Sequence, residues 1–326
     1  MPYFDTTYTT GVIAAKEKYL LKDRIFRFCE MDAADAFRAL LESGFGGGAE
    51  NVTGVHDYEN LIAAEERALD AFIREYAPSK TERIFLLASR DFHNAKALIK
   101  AAYLGADVSR MLAPQGLIEV AELSSCVENK NFDGLKEKNV ALCCACQEAI
   151  ASLEENPSGA KVGEIFEKAA YGYLAEVVKF KPIFKKMLAQ KADMTNILTA
   201  LRCGDMELAK GKYLPAGKLK TEQLDSLFLE DREKALRAFE NTPYKQFVEL
   251  CFADREKGLP MTAAEKYLGS FETEFFAAKK YELVKNEPFL YYVYRRKTEN
   301  ANVRIVFACL LAGQTEYDIK KRLRAF

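Results

Sequence analysis

Apolar residues recur along this chain at alternating steps of three and four, which is the spacing of one face of an α-helix. The clearest stripe consists of Phe85, Ala88, Phe92, Ala95 and Ile99. A stretch with strand-like composition, 82–89, lies in register with this stripe, so we interpret it as helical. The stripe predicts one long helix from about Ser79 to Leu104, ended by Gly105.

Turn signals are sparse. The chain has 18 glycines and 9 prolines in 326 residues, too few for a β fold that turns every ten residues or so. We therefore predict an all-α fold built from several amphipathic helices.

A short motif occurs three times: an acid, two residues, an asparagine, one apolar residue and, in two copies, a base. The copies are carried by Asp91, Asn94 and Lys96, by Asp193 and Asn196, and by Glu299, Asn302 and Arg304. The three asparagines lie roughly 100 residues apart, a spacing typical of internal duplication. Leu198 replaces the base in the second copy, and Glu299 replaces the aspartate in the third.

Two turn patterns keep the same phase as the motif. Pro114-Gln115-Gly116 and Pro215-Ala216-Gly217 follow the first two copies. Pro-x-Gly after a helix is a natural unit boundary, because proline cannot continue the helix and glycine permits the turn. Ser43-Gly44-Phe45 and Thr242-Pro243-Tyr244 each follow an amphipathic helix upstream of a motif. These landmarks divide the chain into three predicted repeats: 1–115, 116–216 and 217–326.

The spacing places each acid and asparagine on one line of a helix, on or beside its buried face. A buried carboxylate or amide must be hydrogen-bonded, since an unpaired one costs about 1–3 kcal/mol. The preferred interpretation is that each pair ties its helix to the backbone of a neighbouring helix. The alternative is that three equivalent pairs line a shared cavity.

Charge and hydropathy limit the classes of function that this chain can have. The chain has 47 basic and 48 acidic residues, and this balance disfavours a nucleic-acid-binding protein. Neither a signal peptide nor an apolar run long enough to span a bilayer is visible, so we expect a cytoplasmic protein without direct bilayer insertion. Two basic clusters, Lys179–Lys186 and Lys320–Arg324, indicate either solvated helix faces or contact with an acidic partner.

Residues with catalytic or metal-binding chemistry are few. The eight cysteines lie mostly in apolar helical stretches, as reduced cytosolic cysteines do. The cluster Cys143-Cys144-Ala145-Cys146 lacks the second knuckle of a tetrahedral metal site. His93 sits in the first motif and His56 in a glycine-rich stretch, and no catalytic signature surrounds either. We therefore predict a non-enzyme without metal or cofactor, and keep a thiol-based site on this cluster and His93 as an alternative.

The motif copies and their order resemble the C-type subunits of V/A-type rotary ATPases, which are equivalent to the d-type subunits of the eukaryotic vacuolar enzyme. The similar segments are Tyr19–Leu21, Ser89–Leu98, Asp193–Arg202, Tyr213–Gly217, Tyr294–Arg304 and Tyr317–Leu323. They cover nearly the whole chain. The similarity of any one segment is not specific by itself, but all six occur in the same order as in the family, and this order makes the resemblance specific.

The resemblance implies a non-catalytic rotor protein. Members of this family look like funnels of three helical domains related by a pseudo-threefold axis. They are expected to sit on the cytoplasmic end of the membrane rotor ring of proteolipid subunits, to receive the central shaft subunits and to pass torque between them. A freestanding helical-repeat scaffold for other soluble proteins is the alternative function.

Overall fold

The computed structural model describes residues 6–21, 23–105, 108, 111–229, 231–258, 261–277, 279–280 and 286–325. Within these ranges every regular element is helical and no strand occurs, which confirms the predicted all-α class. The α-helices are α1 (Thr6–Lys16), α2 (Arg24–Phe28), α3 (Ala33–Glu42), α4 (Tyr58–Tyr76), α5 (Lys80–Leu104), α6 (Val120–Glu128), α7 (Asp133–Lys138), α8 (Val140–Glu155), α9 (Gly159–Val177), α10 (Pro182–Cys203), α11 (Met206–Lys212), α12 (Thr221–Asp225), α13 (Arg232–Phe239), α14 (Lys245–Glu256), α15 (Thr262–Ala277), α16 (Glu287–Leu311) and α17 (Glu316–Arg322). Short 3₁₀ turns occur at Glu17–Tyr19, Val55–Asp57 and Ser226–Phe228.

Packing divides the chain into two compact units. Residues 1–79 and 249–326 form one, here called the N/C unit, and residues 80–248 form the other, the middle unit. This division concerns packing within the fold, and the three repeat boundaries stay a prediction.

The N/C unit is built around α16, which packs against α1, α4 and α15. Aromatic rings join these helices: Phe72 of α4 stacks on Phe289 at 5.6 Å between ring centroids, and Phe276 of α15 stacks on Tyr294 at 5.6 Å. The other end of α16 packs Val303 and Phe307 against side chains of α2 and α3. Such buried aromatic pairs add to the stability supplied by area burial alone.

The middle unit is built around α5, which packs against α6, α8 and α9. The apolar stripe read from the sequence is its buried face, with Phe92, Ala95 and Ile99 all in the core. The predicted helix over 79–104 is confirmed as α5, and Gly105 ends it with a left-handed φ of 64°. The strand-like stretch 82–89 is part of the same helix.

The two other motif-bearing helices end in the same way. Gly204 after α10 and Gly313 after α16 both adopt a φ of 68°. Glycine is the residue that enters this region without a Cβ penalty, and it lets the chain reverse direction after a long helix. In these two cases a short capped helix follows at once, with Asp205 and Thr315 as N-caps.

Candidate functional site: the acid/asparagine motifs

All six acid and asparagine side chains lie in the middle of long helices and are buried. Asp91 and Asn94 lie on α5, Asp193 and Asn196 on α10, and Glu299 and Asn302 on α16, and their exposed fractions run from 0 to 4%. Burial of this kind requires full hydrogen bonding. The partners of these side chains therefore define what the motif does.

Each asparagine makes the same pair of bonds. Its Nδ2 donates to the backbone carbonyl of one residue, and its Oδ1 accepts from the backbone N–H of that same residue. The partners are Ala113 for Asn94, Leu214 for Asn196 and Arg324 for Asn302. The donor–acceptor distances are 2.7–2.8 Å at Oδ1 and 2.9–3.2 Å at Nδ2. The side chain thus pairs with non-helical backbone much as a neighbouring strand would.

The first two acids hold the backbone a few residues further on. Asp91 accepts from the N–H groups of Leu117 and Ile118 at 3.0 and 3.1 Å. Asp193 accepts from those of Lys218 and Leu219 at 2.7 and 3.0 Å. A carboxylate that accepts two backbone N–H bonds makes stronger bonds than a neutral acceptor would. We call each acid/asparagine pair with its backbone partners a clamp.

A close approach explains the glycine in Pro-x-Gly. A Cβ built on Gly217 would lie 2.6 Å from Asp193 Oδ1 and 3.2 Å from Asn196 Nδ2. A Cβ on Gly116 would overlap the carboxylate of Asp91 in the same way. The sequence suggested that the glycine permits a turn; the positive φ, 75°, in fact belongs to Ala216. Gly217 is needed because the clamp leaves no room for a side chain.

The third acid holds a different segment. Glu299 accepts from the backbone N–H of Leu21, 278 positions away in the chain. Its other oxygen accepts from Arg296, which also pairs with Glu65 of α4. A glutamate is one methylene longer than an aspartate, and this reach serves both partners. Burial raises the pKa of Glu299 above its ordinary value, and Arg296 and the Leu21 N–H oppose that rise.

Leu20 and Leu21 lead into α2 as Leu117 and Ile118 lead into α6. The segment before α2 therefore donates one backbone N–H to the third acid, whereas the segment before α6 donates two to the first acid. The first and second acids hold segments that follow them in the chain, whereas the third holds one that precedes it by most of the sequence. The replacement of Asp by Glu299 coincides with this change of partner.

Tyr244 provides a third hydrogen-bond donor to Asp193 of the second clamp. Its hydroxyl donates to Asp193 Oδ2 at 2.6 Å, and burial together with this bond raises the pKa of the phenol well above its usual range. Tyr244 belongs to the Thr242 turn, whose hydroxyl accepts from the Tyr244 N–H at 3.2 Å. Ser43 accepts from the Phe45 N–H at 3.3 Å, so the two turns that appear equivalent in sequence share this local bond.

The position two residues after each asparagine differs among the motifs. Arg304 makes a bidentate ion pair with Glu59 of α4, with N–O distances of 2.9–3.1 Å. Leu198 is buried at 5% exposure and packs in the core. Lys96 is half-buried, and no described carboxylate lies within ion-pair distance of it. These three residues therefore have separate local roles and do not belong to the clamps.

The geometry around Cys143–Cys146 and His93 gives little support to the alternative of a thiol-based site. Cys143 and Cys146 are buried, whereas Cys144 between them is exposed. Burial raises the pKa of Cys146 to about 12, which disfavours the thiolate that a metal ligand requires. Among the described residues no group of three His, Cys, Asp or Glu side chains is placed to hold a metal ion. His93 is exposed, and its Nε2 contacts the Met111 carbonyl oxygen at 2.9 Å.

Lys320 of the C-terminal basic cluster is paired within its own unit. Lys320 contacts Glu30 at 2.7 Å and Glu316 at 2.6 Å, and it lies in the last turn of α17, where cations favour the helix dipole. The other cluster, around Lys181, surrounds the exposed ring of Phe180.

Sequence reasoning located the clamps and missed several of their parts. Arg296 precedes Glu299 by three residues, a spacing that predicts an i,i+3 ion pair on a helix and offered a usable signal. Glu65 and Leu21 come from distant segments, and no local pattern points to them. The acid and asparagine side chains of the clamps form their hydrogen bonds mainly with the protein's own backbone. This arrangement is typical of residues with a structural role.

Comparison with known proteins identifies the family of this chain. The family model described as ATP synthase (C/AC39) subunit matches residues 9–322, nearly the whole chain. A search of curated proteins found no match. Within the described residues, no helix is long and apolar enough to cross a membrane. Since the family model spans all three motifs, the resemblance seen in the sequence is confirmed: the chain belongs to the ATP synthase (C/AC39) subunit family.

Proposed function

We propose that this chain is a non-catalytic adapter of a V/A-type ATPase that couples the central shaft to the membrane rotor ring. Its partners are the proteolipid subunits of the ring and the shaft subunits, and it is held at the cytoplasmic face of the membrane by these proteins. Membership of the C/AC39 family supports a role in an ATPase complex.

The observation that carries the proposal is the set of three clamps. A joint that transmits torque must resist sliding between its long helices and the segments bound to them. Each clamp fixes the middle of a long helix to non-helical backbone by buried bonds, in addition to close side-chain packing. Local stiffness is what these buried residues supply, and they leave no donor set aimed at a substrate.

The three repeats, 1–115, 116–216 and 217–326, are part of the same proposal. Three long helices carry equivalent asparagine bonds and end at left-handed glycines, and this similarity supports duplication of one unit. In a structure of the assembled complex, the three long helices with their bound segments should superimpose on one another. Failure of the three asparagines to coincide in that superposition would refute the duplication.

The coupling role is tested in the intact complex. Purification from detergent-solubilised native membranes through a tag on this chain should recover the ring and shaft subunits together. Complexes that carry Asp193→Ala should hydrolyse ATP while transporting fewer ions per ATP than the wild type. Asp133→Ala, an exposed aspartate of α7, is the matched control and should leave coupling unchanged.

Recovery of the chain free of ring and shaft subunits, or bound to unrelated soluble proteins, would contradict the proposal and favour the scaffold alternative. An Asp193→Ala complex that assembles, is locally loosened at the clamp and still couples normally would show that the clamps do not serve torque transmission.

A further inference from the structure

The turn between α9 and α10 presents an aromatic ring to solvent. Phe180 is 85% exposed, more than any other large apolar side chain described in this protein. At the corresponding turn between α4 and α5, Tyr76 instead packs on Phe72 and Tyr8, with centroid distances of 5.1 and 6.4 Å. Packing of the aromatic residue at such a turn is therefore available to this fold, and Phe180 does not use it.

Lysines surround this ring. We call Lys179, Phe180, Lys181, Lys185 and Lys186 the basic tip. The ammonium of Lys179 lies 5.4 Å from the centroid of the Phe180 ring. Lys179 and Lys181 pair with carboxylates, Glu176 at 3.2 Å and Glu82 at 3.3 Å. Lys185 and Lys186 are exposed, and no carboxylate of the described chain pairs with them.

Lys185 and Lys186 lie near a helix N-terminus, where the helix dipole disfavours a positive charge. α10 begins at Pro182 and has no acid in its first turn, so Lys185 and Lys186 add to the positive partial charge of the helix N-terminus. By contrast, α11 carries Glu207 and α13 carries Glu233 in the first turn, where an acid favours the helix dipole. Lys185 and Lys186 thus have no carboxylate partner in the described chain, and their positive field suits an anion outside the protein.

The shape of the basic tip indicates the kind of partner. Phe180 projects from a turn, so a protein partner would need a matching pocket, whereas the headgroup layer of a bilayer accepts a projecting ring without one. Interfacial segments of peripheral proteins place phenylalanine rings among the lipid headgroups and the first acyl carbons, and lysines beside them attract anionic headgroups. We propose that the basic tip rests on a membrane surface that contains anionic phospholipid, with Phe180 at headgroup level. This inference stands on the basic tip alone and does not depend on the coupling role.

The test measures binding of the whole 326-residue chain to vesicles. Vesicles of phosphatidylcholine with one third phosphatidylserine should bind the chain at low salt, and vesicles of phosphatidylcholine alone should not. Each lysine near an anionic surface contributes about fivefold in affinity, so K185Q with K186Q should weaken binding about 30-fold. Added salt should weaken it as well, because exposed charges are screened. Phe180→Ala should weaken binding without changing its salt dependence.

Two control variants separate the basic tip from general effects. K218Q with K220Q removes two exposed lysines elsewhere and changes the net charge equally. Tyr317→Ala removes a ring that is 75% exposed beside acidic residues of α17. Both controls should bind vesicles as the wild type does.

Equal loss of binding in the K218Q/K220Q control, or no binding to anionic vesicles at low salt, would overturn the proposal. So would variants of the basic tip that bind vesicles normally but no longer join the ATPase complex, since that result assigns the basic tip to an acidic protein partner.

Discussion

Replacement of Asp193 by alanine tests the second clamp directly. The carboxylate accepts from the N–H groups of Lys218 and Leu219 and from the hydroxyl of Tyr244, at 2.6–3.0 Å. Alanine leaves three donors without this acceptor at a site where Asp193 is only 1% exposed. Partly exposed donors recover some hydration, so we expect a loss of about 3–5 kcal/mol in the free energy of unfolding rather than the full sum of three buried bonds.

A double-mutant cycle isolates one of these bonds. Tyr244→Phe removes a single hydroxyl that donates to a charged acceptor, and we expect its coupling with Asp193→Ala to be about 1.5–3 kcal/mol. Urea unfolding followed by circular dichroism gives the stability of each variant. Hydrogen exchange gives the local result, since the Lys218 and Leu219 amides should lose protection in Asp193→Ala.

Two outcomes would refute the reasoning. A stability loss below about 1 kcal/mol for Asp193→Ala would mean that water or other groups replace the carboxylate. Strict additivity of the two variants would mean that the 2.6 Å contact to Tyr244 carries no coupling energy.

Three further predictions concern other parts of the molecule. Gly217→Ala should destabilise the protein by about 2–4 kcal/mol, because its Cβ would overlap the clamp, while Gly211→Ala in open space on α11 should be neutral or stabilising; thermal unfolding of the pair distinguishes them. Burial raises the pKa of Glu299, so its folded form holds a proton more tightly than its unfolded form. The contribution of this protonation to the free energy of unfolding is greatest at pH values below the pKa of Glu299 in the unfolded chain, about 4.3. It is lost as the pH rises through the pKa of Glu299 in the folded protein. The stability difference between the wild type and Glu299→Gln should therefore fall over that window by about 1.4 kcal/mol per pH unit, and a rise or a constant difference would contradict the assignment. Iodoacetamide at neutral pH should modify exposed Cys144 and spare Cys146, whose pKa burial raises to about 12; peptide mass spectrometry reads both sites, and fast labelling of Cys146 would show that its helix opens.

The sequence was sufficient for the fold class and for the position of the motifs. The stripe from Phe85 to Ile99 specified α5 because buried helix faces repeat at a fixed period, and Gly105 specified its end. Burial of the acid and asparagine followed from their place beside that stripe. These are local properties, and a linear pattern records them.

The partners of the clamps were beyond the reach of local patterns. Asn94 and Ala113 lie 19 positions apart in the chain, and Asn302 and Arg324 lie 22 apart, so no helical or strand period links the two partners of either pair. The sequence indicated a turn at Gly217. It identifies a residue without a side chain, but it does not identify the atoms that fill the space where a side chain would lie. An approach of 2.6 Å between a carboxylate oxygen and a Cβ position exists only once the helices have packed.

The bond between Glu299 and Leu21 has a consequence for biosynthesis. Two segments far apart in the chain complete the N/C unit, whereas the middle unit is continuous in sequence. A ribosome delivers residues in order at about 5–20 per second, so the middle unit emerges entire while residues 1–79 still lack α16. Until α16 leaves the exit tunnel, the nascent amino-terminal helices lack this native neighbour, and the apolar side chains that α16 covers stay exposed to water and to chaperones.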